Sequence, residues 1–118
     1  MKQYLLVLLV LLVACTSTPT GQPTGVTKEF TMTAKQFSFD PAVITVQRGD
    51  HVKLTITSVD VTHGISIPAF HVNAKLEPGK STTVEFDATE VGMFQFRCSV
   101  VCGSGHSEML GAVEVKTP

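Results

Sequence analysis

From Cys98 to Met109 the chain reads Cys-Ser-Val-Val-Cys-Gly-Ser-Gly-His-Ser-Glu-Met, a C-x-x-x-C-x-x-x-H-x-x-M run. Two thiols, an imidazole and a thioether therefore fall within a single short segment. Soft sulfur donors joined by imidazole select copper over hard cations, and a weak thioether ligand belongs to electron-transfer copper rather than to structural zinc. A fourth side chain joins them from a distance. His63 ends the run Ser58-Val59-Asp60-Val61-Thr62-His63, where Asp60 and Thr62 are placed to orient its ring.

Two plainer uses of these residues compete with copper. Cysteines four apart in an exported chain can form a disulfide, because oxidising compartments favour one. Cys98, Cys102, His106 and a further His also make a possible zinc set, but Met109 would then have no role. His51, beside Asp50, and His71, after Pro68-Ala69-Phe70, read as surface residues. Met32 and Met93 sit in strand patterns, where packing is the default.

At the N-terminus, Lys2 is followed by an unbroken apolar stretch from Tyr4 to Ala14 and then by Cys15. Spanning a bilayer takes about 20 apolar residues, so this shorter run reads as a signal peptide over residues 1–14. Leu12-Val13-Ala14-Cys15 resembles the lipobox of bacterial lipoproteins, in which cleavage frees a Cys that is then acylated. Cys15 is the expected lipidation site, and several acyl chains hold a protein firmly at a membrane surface. An ordinary signal peptide with a chance Cys is the alternative. Cleavage removes one of the nine basic residues and none of the ten acidic ones, leaving a net charge of about −2. Nucleic-acid readers carry clustered positive charge, so none is expected as a partner.

The segment 15–28 is rich in Thr, Ser, Pro, Gly and Gln, too poor in apolar surface to fold. It reads as a tether whose dozen flexible residues reach about 20 Å on average. Residues 29–118 are then one small domain. Short β-rich runs are expected over Glu29 to Ala34, Ala42 to Gln47, His51 to Ser58, Gly64 to Ile67, Ser81 to Asp87, Met93 to Cys98 and Gly111 to Lys116. Turn signals at Asp40-Pro41, Arg48-Gly49-Asp50, Glu77-Pro78-Gly79 and Val91-Gly92 separate them. Val52, Leu54 and Ile56 alternate with Lys53, Thr55 and Thr57, the period of a half-buried strand. No stretch has a sustained helical period. The expected architecture is an all-β, Greek-key β-sandwich. Its core candidates are Val43, Ile44, Val46, Leu54, Ile56, Val84, Phe86, Phe94, Phe96 and Val113.

Asp60-Val61-Thr62-His63 and the Cys98 to Met109 motif together resemble the CuA domain of cytochrome c oxidase subunit II, a cupredoxin fold. The likeness covers most of residues 29 to 116, including Ile67-Pro68-Ala69-Phe70 and Pro78-Gly79. A blue-copper site needs only one Cys, so Cys98 is the residue that points to a two-copper centre. The resemblance implies two copper ions bridged by Cys98 and Cys102. His63 and Met109 would complete one, and His106 with the backbone carbonyl of Val100 the other. Such a centre delocalises one electron over both metals, and a rigid sandwich keeps reorganisation small.

The chain departs from the subunit II pattern in three ways. Val100 stands where that family typically has a Glu that also reaches a magnesium ion at the catalytic subunit. The family's aromatic electron port is a Trp, and this chain has none. A short cleavable segment and a lipid anchor replace the membrane spans. The resulting expectation is an electron carrier rather than an enzyme. It would be exported, tethered to a cell membrane facing the periplasm or cell exterior, and work between a c-type cytochrome and a membrane-bound oxidase or reductase. The rivals are subunit II of a divergent cytochrome c oxidase, and a copper chaperone like the thioredoxin-fold ones, against which the β-only pattern argues.

Overall fold

The computed structural model describes residues 25–118, so the expected signal peptide, Cys15 and most of the tether lie outside the described residues. The strands are β1 (Thr27–Lys35), β2 (Ser38–Asp40), β3 (Val43–Gln47), β4 (His51–Ser58), β5 (His63–Ile67), β6 (Val72–Leu76), β7 (Ser81–Asp87), β8 (Gly92–Arg97) and β9 (Leu110–Lys116), with 3-10 turns at Pro68–Phe70 and His106–Glu108. They form two sheets, ordered β2-β1-β4-β7 and β3-β9-β8-β5-β6. The chain crosses between sheets after β2, β3, β4, β6 and β7, and β1–β4 and β3–β9 pair in parallel. These crossings make the all-β Greek-key sandwich expected from the sequence, without any α-helix among the described residues.

All seven expected strands are present, and β1 starts two residues before Glu29. β2 and β6 were not anticipated. β2 is only three residues long, and β6 (Val-Asn-Ala-Lys-Leu) buries just its two ends fully, so neither carries a strong period-two signal.

β4 shows most plainly why the sandwich closes. Val52, Leu54 and Ile56 are fully buried, each worth about 1.5–3 kcal/mol on removal from water. Thr55 and Thr57 face outward, bonded across the strand pair to Thr83 and Ser81. Ile44, Val46, Phe86, Phe96 and Val113 are also buried, while Val84 and Phe94 are half-buried and pack against the core. Val43 is not a core residue, being 50% exposed. Successive strand side chains point to opposite faces, so Ile44 and Val46 inside force Val43 outside. The same parity turns Met93 to solvent between its inward neighbours, whereas Met32 is buried as expected.

Two ends result. At one, Gly49 (φ 93°) permits the tight β3–β4 turn, and Asp50 accepts the Gln47 N–H. There His51 lies between Asp87 and Glu85 at 2.8 and 3.1 Å, and the Asp87 hydrogen bond followed by that of Glu85 raises its pKa above the usual imidazole value. At the other end the Val59 N–H donates to the Ala34 carbonyl at 3.1 Å, which ties the β4–β5 turn to β1.

Candidate metal centre

β8 leads directly into Cys98, and β9 leaves directly from Met109. The Cys98 N–H donates to the Met109 carbonyl at 3.1 Å, closing the twelve-residue segment into a loop at its neck. Phe96 braces the neck from inside, edge-on to Phe39 with ring centroids 5.2 Å apart. Gly111, its partner in the β8–β9 register, has no room for a Cβ because the Phe96 ring covers it. Within the loop the His106 N–H donates to Gly103 and the Glu108 N–H to Gly105, forming the 3-10 turn that aims His106 back toward Cys102.

The sulfur atoms of Cys98 and Cys102 stand 3.5 Å apart. A disulfide bond is about 2.05 Å long, and both cysteines are free and buried. Each sulfur has its own imidazole. His63 Nδ1 lies 3.8 Å from Cys98 Sγ, and His106 Nδ1 lies 3.6 Å from Cys102 Sγ. The Met109 thioether, fully buried, is 3.8 Å from Cys102 Sγ. The Cys98 thiol donates to the Val100 carbonyl at 3.1 Å. All six groups named from the sequence thus meet around one sulfur pair. The donor atoms of His63, Cys98 and Cys102 fall within 4.8 Å of one another, a spacing that could hold a metal ion.

The donor chemistry fits copper better than zinc. Two soft sulfurs, two imidazoles and a buried thioether make a copper set, whereas structural zinc sites are built from thiolate, imidazole and carboxylate. Burial, reinforced by the hydrogen bond to Cys98 and its charge, pushes the Cys102 thiol up to about 11. Metal uptake through Cys102 at neutral pH therefore has to release its thiol proton.

His63 is fully buried, and what fixes it is Asp60. One carboxylate oxygen is 2.7 Å from His63 Nε2 and accepts the Val61 N–H at 2.6 Å. The other accepts the Gln36 N–H at 2.7 Å. Burial works to raise the Asp60 pKa, but the Gln36 and Val61 N–H groups and the His63 ring hold it below the ordinary carboxylate value. This bond leaves Nδ1 as the ring atom facing the sulfurs. Asp60 therefore orients the imidazole as the sequence indicated, while no hydrogen bond from Thr62 contributes.

Two residues of the β1–β2 turn belong to the site without any sequence signal. The Gln36 side-chain amide donates to the Cys102 carbonyl at 2.8 Å, so Gln36 connects the Cys loop to the Asp60 turn. Phe37 lies against the loop closely enough that a Cβ on Gly103 would come within 2.9 Å of its ring and one on Gly105 would collide with it. The contact from Gln36 to Cys102 spans 66 residues, and nothing local in Lys35-Gln36-Phe37-Ser38 announces it. Gly64 is needed for the same closeness, because a Cβ there would strike Ser99 Oγ and lie 3.1 Å from the Val100 nitrogen. His51 and His71 are far from this cluster in role, the first hydrogen-bonded to Asp87 and the second an exposed residue with left-handed backbone (φ 56°).

The sequence profile described as "Cupredoxin-like domain" matches residues 5–109. The chain belongs to the cupredoxin-like domain family. Subunit 2 of cytochrome c oxidase from Thermus thermophilus is 34% identical over 80 residues, 68% of this cupredoxin and 59% of that protein. Nitrous-oxide reductase from Stutzerimonas stutzeri is 32% identical over 89 residues, covering 72% of this chain and 14% of that enzyme. The cupredoxin thus spans less than two thirds of the length of either relative. Among solved structures, the periplasmic domain of subunit II of cytochrome oxidase from Bradyrhizobium japonicum superposes with a TM-score of 0.65 at 25% identity, over 75% of this chain and 83% of that one.

Proposed function

We propose that this cupredoxin is a one-electron carrier built around a binuclear, CuA-type copper centre. The observation that carries the reading is the pair of buried, unbonded cysteine sulfurs 3.5 Å apart, each with an imidazole Nδ1 beside it. A mononuclear blue-copper site has no use for the second thiol. Cys98 and Cys102 would be shared between the two ions, with His63 and Met109 serving one and His106 and the Val100 carbonyl the other. When bound, the copper pair supplies a redox couple whose single electron is shared by both metals. The protein's part is to hold the ligands still. The neck bond from Cys98 to Met109, the Asp60 clamp on His63 and the Gln36 clamp on Cys102 all oppose movement when the charge changes.

The domain is held at the outer face of a membrane by acylated Cys15 and exchanges electrons with a c-type cytochrome and a membrane-bound oxidase or reductase. Likeness to cytochrome c oxidase subunit 2 supports an oxidase as the acceptor. Exposed Val59 and Val101, on the two segments that carry ligands, offer apolar surface for brief encounters. Subunit II of a divergent oxidase is the second reading, favoured by the superposition on such a subunit. The chaperone reading loses its main analogy, since the described residues form no thioredoxin-like α/β layer.

Redox cycling separates carrier from chaperone. Copper-loaded protein taken through reduction and reoxidation should keep its metal through gel filtration, whereas a chaperone releases Cu(I) to a competing thiol peptide on reduction. Cys15→Ser should move the protein to the soluble fraction with the same copper spectrum. Persistence in the membrane would instead favour stable assembly with an integral partner. Met109→Leu should retain both metals and raise the reduction potential, because a weak donor that helps the oxidised state is lost; an unchanged potential by protein-film voltammetry removes Met109 from the ligands.

A further inference from the structure

Beside the centre, on the outer face of the five-stranded sheet, is an open cavity of about 590 Å³. Its floor is a cross-strand row, Asn73 on β6, Ser66 on β5 and Arg97 on β8, set by the registers Ser66↔Asn73 and Ser66↔Arg97. Cys98 and His106 form part of its wall, so the cavity lies against one cysteine of the sulfur pair and the imidazole residue of the other. Arg97 is the one permanently charged side chain lining it. Lys53, Lys75, Lys80 and Lys116 each sit within 4.0 Å of a carboxylate, while Lys28, Lys35 and Arg48 join no ion pair among the described residues but do not line the cavity. Arg97 is exposed and has no ion-pair partner among the described residues.

An uncompensated guanidinium in a polar hollow suits one kind of group. Its planar fork matches a carboxylate, which it can bind through two parallel hydrogen bonds, and the neighbouring amide and hydroxyl side chains can donate further bonds. A group anchored there lies against His106 and Cys98, where the path to the metals is short. We infer that this cavity is the port at which a protein redox partner docks, inserting a carboxylate of its own cofactor rim onto Arg97. The inference rests on the electron-carrier reading and adds to it the charge of the partner surface, acidic opposite Arg97. Complementary charge of this kind speeds encounter and fixes orientation more than it raises affinity.

Hexacyanochromate(III), a redox-inert paramagnetic anion, tests the port on the metal-free full chain, so the result is independent of copper. Added to isotope-labelled protein at low salt, it should broaden the amide signals of Arg97, Ser99 and Ser107 and the side-chain amides of Asn73 and Gln95. Arg97→Gln should abolish that pattern, and a tetraglutamate peptide should displace the anion. Broadening centred on Lys75 and Lys80, or unchanged in Arg97→Gln, overturns the proposal. Displacement by inorganic phosphate but not by the peptide means that the cavity takes a small free anion, which also overturns a protein partner. On copper-loaded protein, the ratio of oxidation rates by hexacyanoferrate(III) and by a cationic cobalt(III) complex should fall several-fold in Arg97→Gln and with rising salt. If neither oxidant draws an electron from the unmutated protein, the carrier reading fails, while the metal-free titration still decides the port.

Discussion

Cys98→Ser should reduce copper binding to a single ion per chain and replace a two-thiolate spectrum with that of one thiolate. The substitution leaves Cys102, His63, His106 and Met109, which is the ligand set of a blue-copper site. Because Cys98 Sγ is buried and touches both His63 and the Val100 carbonyl, its loss removes a sulfur that links the Val100 segment to His63. Where the four remaining ligands cannot close around one ion, copper is lost altogether. Metal analysis and the visible spectrum of the variant read either result. Two coppers with an unchanged spectrum would show that Cys98 is not a bridge.

Asp60→Ala should destabilise the fold although it replaces none of the proposed metal ligands. Its carboxylate accepts from the Gln36 and Val61 N–H groups and holds the ring of fully buried His63. Removal leaves a buried ring nitrogen without a partner and unfastens the β1–β2 turn from the β4–β5 turn. Hydrogen bonds to a charged group contribute about 1.5–3 kcal/mol each, and solvent can replace part of that here, so the net loss should be about 2–3 kcal/mol. Urea denaturation of the metal-free protein reads it as a lower midpoint at unchanged slope. A loss within about 0.5 kcal/mol, ordinary for surface sites, would mean that Asp60 does not hold the end of the sandwich together.

The difference between these two residues marks what a sequence reveals. The Cys98 to Met109 ligands are legible because donor type and spacing carry the chemistry in one short segment. His63 is legible only with Asp60 beside it, and Asp60 earns a structural role that the sequence merely hinted at. Gln36 and Phe37 are invisible, because their contacts with Cys102, Gly103 and Gly105 cross from one end of the domain's sequence to the other. Alternation exposed the sandwich through strands such as β4, where Val52, Leu54 and Ile56 repeat every second residue. It misled where apolar residues stand next to each other. Val43 adjoins Ile44, and Met93 adjoins Phe94, yet a strand can turn only one of each pair inward. The short strand β2 and the weakly patterned β6 left too little signal for any periodicity to register.

Two bridging thiolates are the centre of the account, and the copper-loaded, oxidised protein tests them most directly by metal analysis combined with electron paramagnetic resonance. Two coppers per chain, with one unpaired electron coupled equally to two copper nuclei and a purple colour, are the expected result. One copper per chain with coupling to a single nucleus and a blue colour, or a Cys98–Cys102 disulfide that persists through reduction and copper loading, would contradict it.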